Sequence, residues 1–196
     1  MSNLVREAQY FAQNCLSKRS NFRSIKQLSW KPNQGMNCLI GVGDSGKTTV
    51  LDAIDYCLGA RRSVQFSDYD FHMTDTSEPI RILVALGALE QPLLSMDAYG
   101  DYFCGYNPTT GKFEEEPGHG LEAILTLRLK VEKDLEPQWS LLSKRAKAKG
   151  VQRNLRWEDR QTSSPLRLGD HPDWHLAWRC GALSVVRDFG TDSYLS

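Results

Sequence analysis

The sequence predicts an α/β fold in which a glycine-rich loop joins a buried strand to a helix, beside an antiparallel β subdomain. First, an apolar run at residues 36–40 leads directly into a loop with three glycines at residues 41–48. Second, apolar residues recur on one helical face from Lys47 to Leu58, and Gly59 follows as a helix terminator. Third, apolar and polar residues alternate over 121–132, which is typical of a half-buried antiparallel strand.

The segment before the glycine-rich loop is predicted to contain a helix and a β-hairpin. Residues 1–17 carry apolar side chains at helical spacing, so we expect an N-terminal helical extension over residues 1–20 that packs on the core. Residues 22–40 predict the hairpin, because Leu28 and Trp30 alternate with polar neighbours before a Pro-Asn-Gln-Gly turn. The second hairpin strand would enter the loop.

Beyond the predicted helix, the pattern indicates further strands separated by irregular segments. Ile80–Leu86 is a strand candidate, and residues 138–142 are expected to pair with the alternating strand. Residues 101–120 contain Asn-Pro, Gly-Lys and Pro-Gly pairs, which predict a long loop. Residues 65–72 and the tail after Thr162 are also predicted to be irregular.

Composition narrows the functional class without naming a partner. The 196 residues can bury one substantial core, and 24 basic residues balance 24 acidic ones, so no global field favours nucleic acid or membrane. The five cysteines show no C-x-x-C spacing, which favours reduced thiols and a cytoplasmic protein. No run of 18 apolar residues is present, so no membrane segment is expected.

The loop has the full G-x-x-x-x-G-K-T pattern of a phosphate-binding loop. Glycines let backbone N–H groups approach phosphate oxygens, and the following helix N-terminus favours an anion. In this pattern the lysine reaches the β- and γ-phosphates, and the Thr48 hydroxyl ligates Mg²⁺. We therefore expect ATP and Mg²⁺ to be held by Gly41, Gly43, Asp44, Ser45, Gly46, Lys47, Thr48 and Thr49.

The second half of a hydrolytic site is not evident. A hydrolytic site also needs an apolar strand that ends in acidic residues, to hold Mg²⁺ and position water. Residues 121–132 alternate, whereas such a strand is buried on both faces, and Ile80–Leu86 is followed by a glycine and a single carboxylate at Glu90. ATP turnover by this chain is therefore predicted to be negligible.

Three motifs together resemble the N-terminal ATPase lobe of the ABC/SMC/RecF-like group. They are residues 21–25 (Asn-Phe-Arg-Ser-Ile), the phosphate-binding loop, and residues 51–54 (Leu-Asp-Ala-Ile) on the following helix. Within this group the sequence is most similar to the OLD (overcoming-lysogenization-defect) family of ATP-dependent nucleases. The stretches that carry this narrower resemblance are residues 66–71 and 178–184.

The resemblance implies the first lobe of an ABC-type AAA ATPase head over residues 21–196, without the acidic Walker B strand, the signature motif or a Toprim nuclease domain. In a complete family member, nucleotide would bring two heads together as a homodimer and control cleavage of DNA. It also implies that Arg23 contacts a nucleotide phosphate. Asp68 or Asp70 would lie where related ATPases contact Mg²⁺ or the attacking water, although a turn-forming role for these residues is an open alternative.

Three functions remain open from the sequence. The main one is the ATP-binding lobe of an OLD-like DNA endonuclease. The alternatives are a truncated, non-catalytic nucleotide-binding module and a fragment of an SMC- or RecF-like DNA-repair ATPase. Two weaker features are a basic run at residues 144–149, which could contact DNA phosphates, and a possible metal site at residues 170–175, where Pro172 argues against a helix that would join the two histidines.

Overall fold

The computed structural model describes the backbone of Ala12–Gln13 and residues 20–32, 37–43, 45–61 and 63–164. Six strands and four α-helices alternate irregularly in these ranges. The strands are β1 (Ala12–Gln13), β2 (Ile80–Leu86), β3 (Cys104–Tyr106), β4 (Phe113–Glu114), β5 (Glu122–Val131) and β6 (Pro137–Leu142). The helices are α1 (Lys47–Leu58), α2 (Met96–Tyr99), α3 (Lys144–Ala148) and α4 (Trp157–Ser163).

The strands form a single antiparallel sheet with β5 at its centre. Strand β5 pairs with β2 from Ile80↔Val131 to Leu86↔Leu125, and with β6 over the same part of its length. Its first residues pair with β3, which pairs in turn with β4, and β1 pairs with the end of β2. All these pairings are antiparallel, so the sheet is the β subdomain that the sequence predicts.

Helix α1 packs on the face of the sheet that β2 and β5 present. The inward-facing side chains of both strands are almost fully buried, because alternate residues of a strand point to one face. They are Ile80, Ile82, Val84, Leu86, Leu125, Leu127, Leu129 and Val131. From α1, the side chains of Val50, Ala53 and Cys57 complete this core, which anchors the helix that follows the phosphate-binding loop. Leu51, which the pattern assigns to the same face, is exposed.

Several sequence predictions are confirmed by this architecture. Helix α1 has the predicted bounds, and β2 coincides with the predicted strand Ile80–Leu86. Strand β5 lies within residues 121–132, and β6 pairs with it as expected. The segment at residues 65–72 is irregular and includes a short 3₁₀ turn, Asp68–Asp70.

The predicted hairpin before the loop is wrong in its described part. Residues 37–40 are not a strand, and Ile40 is 56% exposed. A strand needs a neighbour for its backbone groups, and no described strand lies alongside this segment. Residues 20–26 form a turn instead, in which Phe22 bridges both Ile25 and Phe71.

Two further predictions differ from the structure. Residues 101–120 are not a continuous loop, because β3 and β4 lie within them and are held by pairing with the start of β5. Within the predicted helical extension the structure describes Ala12–Gln13 and Ser20. Ala12–Gln13 pair as a strand with β2 because that strand edge offers unpaired backbone groups, and the Ser20 N–H donates to the Lys26 carbonyl at 3.0 Å. In the described part of the chain, no helix has the length and apolar character needed to span a bilayer.

Candidate nucleotide-binding site

The phosphate loop, residues 41–48, turns into α1 at a glycine that the geometry requires. Gly46 caps the helix with φ of +81°, a left-handed conformation that strains residues with a side chain. Its carbonyl accepts the backbone N–H of Val50 at 3.0 Å, which starts the helix. A Cβ at this position would also lie 3.0 Å from Ser24 Oγ. The helix N-terminus, with its anion-favouring N–H groups, therefore begins directly at the loop.

The ammonium of Lys47 lies over the loop itself. Its Nζ donates to the carbonyls of Gly41 at 2.8 Å and Val42 at 2.6 Å, and to Ser45 Oγ at 2.9 Å. A Cβ at Gly41 would meet that same Ser45 hydroxyl at 2.7 Å, so glycine allows the loop to close around the lysine. A positive charge thus sits among the loop residues, where the sequence expects phosphate oxygens.

The two threonines that begin α1 differ in their surroundings. Thr48 is exposed, so its hydroxyl is accessible to a ligand of the loop. Thr49 is buried, and its Oγ1 lies 3.1 Å from Ser24 Oγ, so it joins the helix to the preceding turn. Gly43 is exposed and open, and Asp44 lies outside the described residues. The role of Thr48 as a Mg²⁺ ligand and the contacts of the loop residues with phosphate remain predictions.

Arg23 is the centre of a charged cluster beside α1. Its Nε donates to Asp70 Oδ1 at 2.8 Å, its Nη1 donates to Asp52 Oδ2, and its Nη2 donates to the Tyr56 hydroxyl at 3.1 Å. The guanidinium also lies 5.0 Å from the centroid of the Phe22 ring and 5.5 Å from that of Tyr56. Burial lowers the pKa of Arg23, but the hydrogen bond to Asp70 and the neighbouring charges outweigh it, so the net pKa is raised.

The two candidate metal carboxylates are not equivalent. Asp70 accepts from Arg23 and also from the backbone N–H of Ser67 at 3.0 Å, which is the turn-forming role that the sequence left open. Asp68 is exposed on the same 3₁₀ turn. Among the described residues no group of three or more His, Cys, Asp or Glu side chains is arranged to hold a metal ion.

Sequence reasoning missed the side chains that fix Arg23. Asp52 lies on α1, one turn after the loop, and Tyr56 lies one turn further along the same helix. Ser24 is the next residue after Arg23, and it reaches Thr49. A usable signal was present, because Asp52 is an acidic residue between apolar helix positions, and a buried carboxylate needs a cation partner.

The other sequence candidates have structural partners or are not described. In the basic run, Lys144 pairs with Glu115 and Lys149 with Asp101, while Arg145 donates to the carbonyls of Gly100 and Phe103. These pairings reduce the charge that the run can offer to DNA phosphates. Residues 170–175 and 178–184 lie outside the described residues.

Comparisons with known proteins identify the segment that contains this site. Residues 18–84 match the family model described as the AAA domain, and the phosphate loop, Arg23 and the Asp70 turn all lie within the matched residues. The match is to the broader AAA domain, and the narrower resemblance to OLD-family nucleases stays a prediction.

Two similar curated proteins are named as DNA replication and repair proteins. The chain is 39% identical over 49 residues to the DNA replication and repair protein RecF of Pseudoalteromonas atlantica, which is 25% of this chain and 13% of that protein. It is 45% identical over 40 residues to RecF of Prosthecochloris aestuarii, which is 20% of this chain and 11% of that protein. The chain thus spans about an eighth of the length of these relatives.

One solved structure that is similar is an SMC head bound to the C-winged helix domain of ScpA. It is 18% identical and covers 78% of this chain and 39% of its own, with a TM-score of 0.40.

Proposed function

We propose that this chain is an ATP-binding lobe of a RecF- or SMC-like ATPase head that works on DNA. The single observation that carries the proposal is the geometry of the phosphate loop. Lys47 lies over the loop carbonyls, and Gly46 opens α1 in a left-handed conformation. This arrangement presents an ammonium and helix N–H groups to one anion, as a triphosphate requires.

Two further observations support ATP and Mg²⁺ as the ligands of the loop. The AAA-domain match covers the loop and all of its described contacts, and AAA domains bind nucleotide. The exposed Thr48 hydroxyl is available for Mg²⁺ in the way the motif predicts. DNA as the partner of the whole protein is inferred from the similarity to the two RecF proteins. That two ATPase heads form a homodimer stays a prediction from the sequence resemblance to the ABC/SMC/RecF-like group.

A second candidate is a nucleotide-binding module without turnover. The observation that favours it concerns the ends of the described core strands. Strand β2 is followed by Gly87, and β5 is followed by Glu132, which is exposed and paired with Lys130. Neither end offers a buried carboxylate pair for Mg²⁺ and water. Endonuclease activity remains a prediction from the sequence resemblance alone.

Calorimetry with Mg·ATP tests the proposal. The wild-type chain should bind with a dissociation constant on the order of micromolar, and Lys47→Ala should lose binding because the loop loses its ammonium. Lys133→Ala, an exposed lysine in the turn between β5 and β6, is the matched control and should bind as the wild type does. Equal binding by wild type and Lys47→Ala, or none by a folded wild type, would overturn the proposal.

Turnover separates the two candidates once binding is established. Phosphate release from Mg·ATP should not exceed that of Lys47→Ala if the chain is a module without turnover. Release well above this background would favour an active ATPase lobe instead.

A further inference from the structure

The turn that carries Arg23 is built against the phosphate loop on one side and against residues 67–75 on the other. On the loop side, Ser24 Oγ lies 3.1 Å from Thr49 Oγ1, and a Cβ at Gly46 would touch the same hydroxyl. On the other side, the Arg23 N–H donates to the Asp70 carbonyl at 2.8 Å, and its own carbonyl lies 2.8 Å from Nδ1 of His72. Arg23 is therefore adjacent in sequence to Ser24, whose hydroxyl makes the contacts on the loop side.

Arg23 itself adopts a conformation that the surrounding contacts must hold. Its φ is +49°, which is unfavourable for a residue with a side chain. Strained backbone of this kind persists only where the neighbouring structure fixes it, and it clusters at functional sites. In this conformation the guanidinium lies against the Phe22 and Tyr56 rings, which contact each other and restrict its movement.

The hydrogen bonds of the guanidinium leave part of it available. A guanidinium has five N–H donors, and the bonds to Asp70, Asp52 and Tyr56 use one on each nitrogen. One donor on each terminal nitrogen has no acceptor among the residues that the structure describes, and the side chain is 32% exposed. Two such donors match the oxygens of a phosphate group, which arginine binds in a bidentate manner.

We propose that Asp52 and Asp70 are positioning residues that hold the Arg23 guanidinium against α1, the helix that follows the loop, so that its two remaining donors meet a nucleotide phosphate. This inference rests on the proposed function, because it assumes that the loop binds ATP. Asp52 acts from α1 and Asp70 from the 3₁₀ turn, so two separate elements fix one guanidinium. Through Asp70, residues 67–75 thereby contribute to nucleotide binding.

The proposal differs from simple competition between carboxylates and phosphate for Arg23. If Asp52 and Asp70 competed with the nucleotide, their removal would free the arginine and tighten ATP binding. If they position Arg23, their removal lets the guanidinium turn away and weakens binding. The sign of the change therefore decides between the two.

Calorimetry on single and double variants of the full chain tests the inference. Asp52→Ala, Asp70→Ala and Arg23→Ala should each weaken Mg·ATP binding by about threefold to tenfold, as expected for a charge-assisted contact. In the Arg23→Ala background, either aspartate substitution should add no further loss, because the residue it positions is already gone. Asp75→Ala is the matched control, since Asp75 accepts from Ser77 and does not contact Arg23.

Rescue and stability measurements separate positioning from a merely structural role. Asp52→Glu keeps a carboxylate at the same helix position and should recover most of the affinity, which a general loss of packing would not explain. Thermal unfolding of every variant confirms that it is folded at the assay temperature, and Arg23→Lys provides a second arginine variant that keeps the charge but lacks the fork.

The possible failures are distinguishable. If the wild type does not bind, or if Lys47→Ala binds equally well, the proposed function itself fails. If Lys47 is required but Arg23→Ala binds as the wild type does, the positioning inference is overturned and the proposed function stands. Unchanged or tighter binding by the aspartate variants, or equal losses with and without Arg23, would also overturn the inference.

Discussion

The guanidinium of Arg160 closes the C-terminal end of α1, where its Nε donates to the carbonyl of Gly59 over 3.0 Å. Its Nη2 donates to the carbonyl of Cys57 over 3.3 Å, and the guanidinium lies 4.5 Å from the centroid of a Trp139 ring. The last carbonyls of a helix lack intrahelical partners and carry partial negative charge. A cationic donor at this end therefore forms hydrogen bonds with these carbonyls and interacts favourably with their charge. Arg160 thus fixes the end of α1 opposite the phosphate loop.

Replacing Arg160 should destabilise the whole lobe. Arg160 is 5% exposed, and Arg160→Met would remove the side-chain donor of two buried carbonyls, of which that of Gly59 keeps only the Arg61 N–H at 2.8 Å. We expect the free energy of unfolding to fall by about 2–3 kcal/mol, measured by urea denaturation. Arg156→Met, at an exposed position just before α4, is the control and should change it by less than about 0.5 kcal/mol. Equal effects of the two substitutions would contradict the capping role.

The loop glycines should differ in their effect on stability. Gly46→Ala forces a side chain into a left-handed conformation and brings its Cβ within 3.0 Å of Ser24 Oγ. The free energy of unfolding should fall by about 1–2 kcal/mol. A Cβ at Gly43 meets nothing within 4 Å, so Gly43→Ala should leave stability unchanged. Thermal or urea unfolding of the two variants measures the difference, and similar losses in both would count against the loop geometry.

The thiol of Cys57 should be unreactive while the protein is folded. Burial raises the pKa of Cys57 to about 12, although the charge of Arg160 opposes this, and the residue is 0% exposed. Iodoacetamide at pH 8 should label exposed Cys38 quickly and Cys57 only after unfolding in urea, because the thiolate is the reactive form. Site-resolved mass spectrometry measures both rates, and equal native rates would contradict the burial.

The same thiol gives a pH dependence with a definite sign. The pKa of Cys57 is higher in the folded protein than the ordinary value of 9.0, so the unfolded chain loses its proton first as pH rises. The contribution of Cys57 to stability is therefore complete below pH 9 and is lost as pH rises toward about 12. Comparing the urea midpoints of wild type and Cys57→Ala across this range isolates the effect. A difference that does not change with pH would rule it out.

Local patterns were sufficient to predict the elements that form the core. Helix α1 follows from apolar spacing and Gly59, and both signals lie within the element itself. Strand β5 follows from strict alternation, and Leu125, Leu127 and Leu129 are buried as that alternation requires. The loop residues were predicted for the same reason, because a phosphate-binding motif is contiguous.

Features that depend on distant partners were not predictable. Residues 37–40 have the apolar composition of a strand, but no described strand is positioned beside them. Strand β3 was missed because only its pairing with β5, such as Cys104↔Ile124, defines it. The pairing of Arg23 with Asp52 and Asp70 joins residues 29 and 47 positions apart, so it is visible only after folding.

The ion pair between Asp101 and Lys149 makes the last testable prediction. The side-chain hydrogen bond from Lys149 Nζ at 2.6 Å lowers the pKa of Asp101 below its ordinary value of 3.8. The unfolded chain therefore takes up the proton at higher pH than the folded one, so the stabilisation is present above pH 3.8 and is lost as pH falls through the lowered pKa. Carbon-detected NMR titration of the Asp101 carboxyl should show this lowered pKa. In Lys149→Met it should return upward, whereas Lys147→Met, on the exposed face of α3, should leave it unchanged. Because the pair joins α3 to the turn that precedes β3, identical titrations in wild type and Lys149→Met would mean that the ion pair does not form in solution.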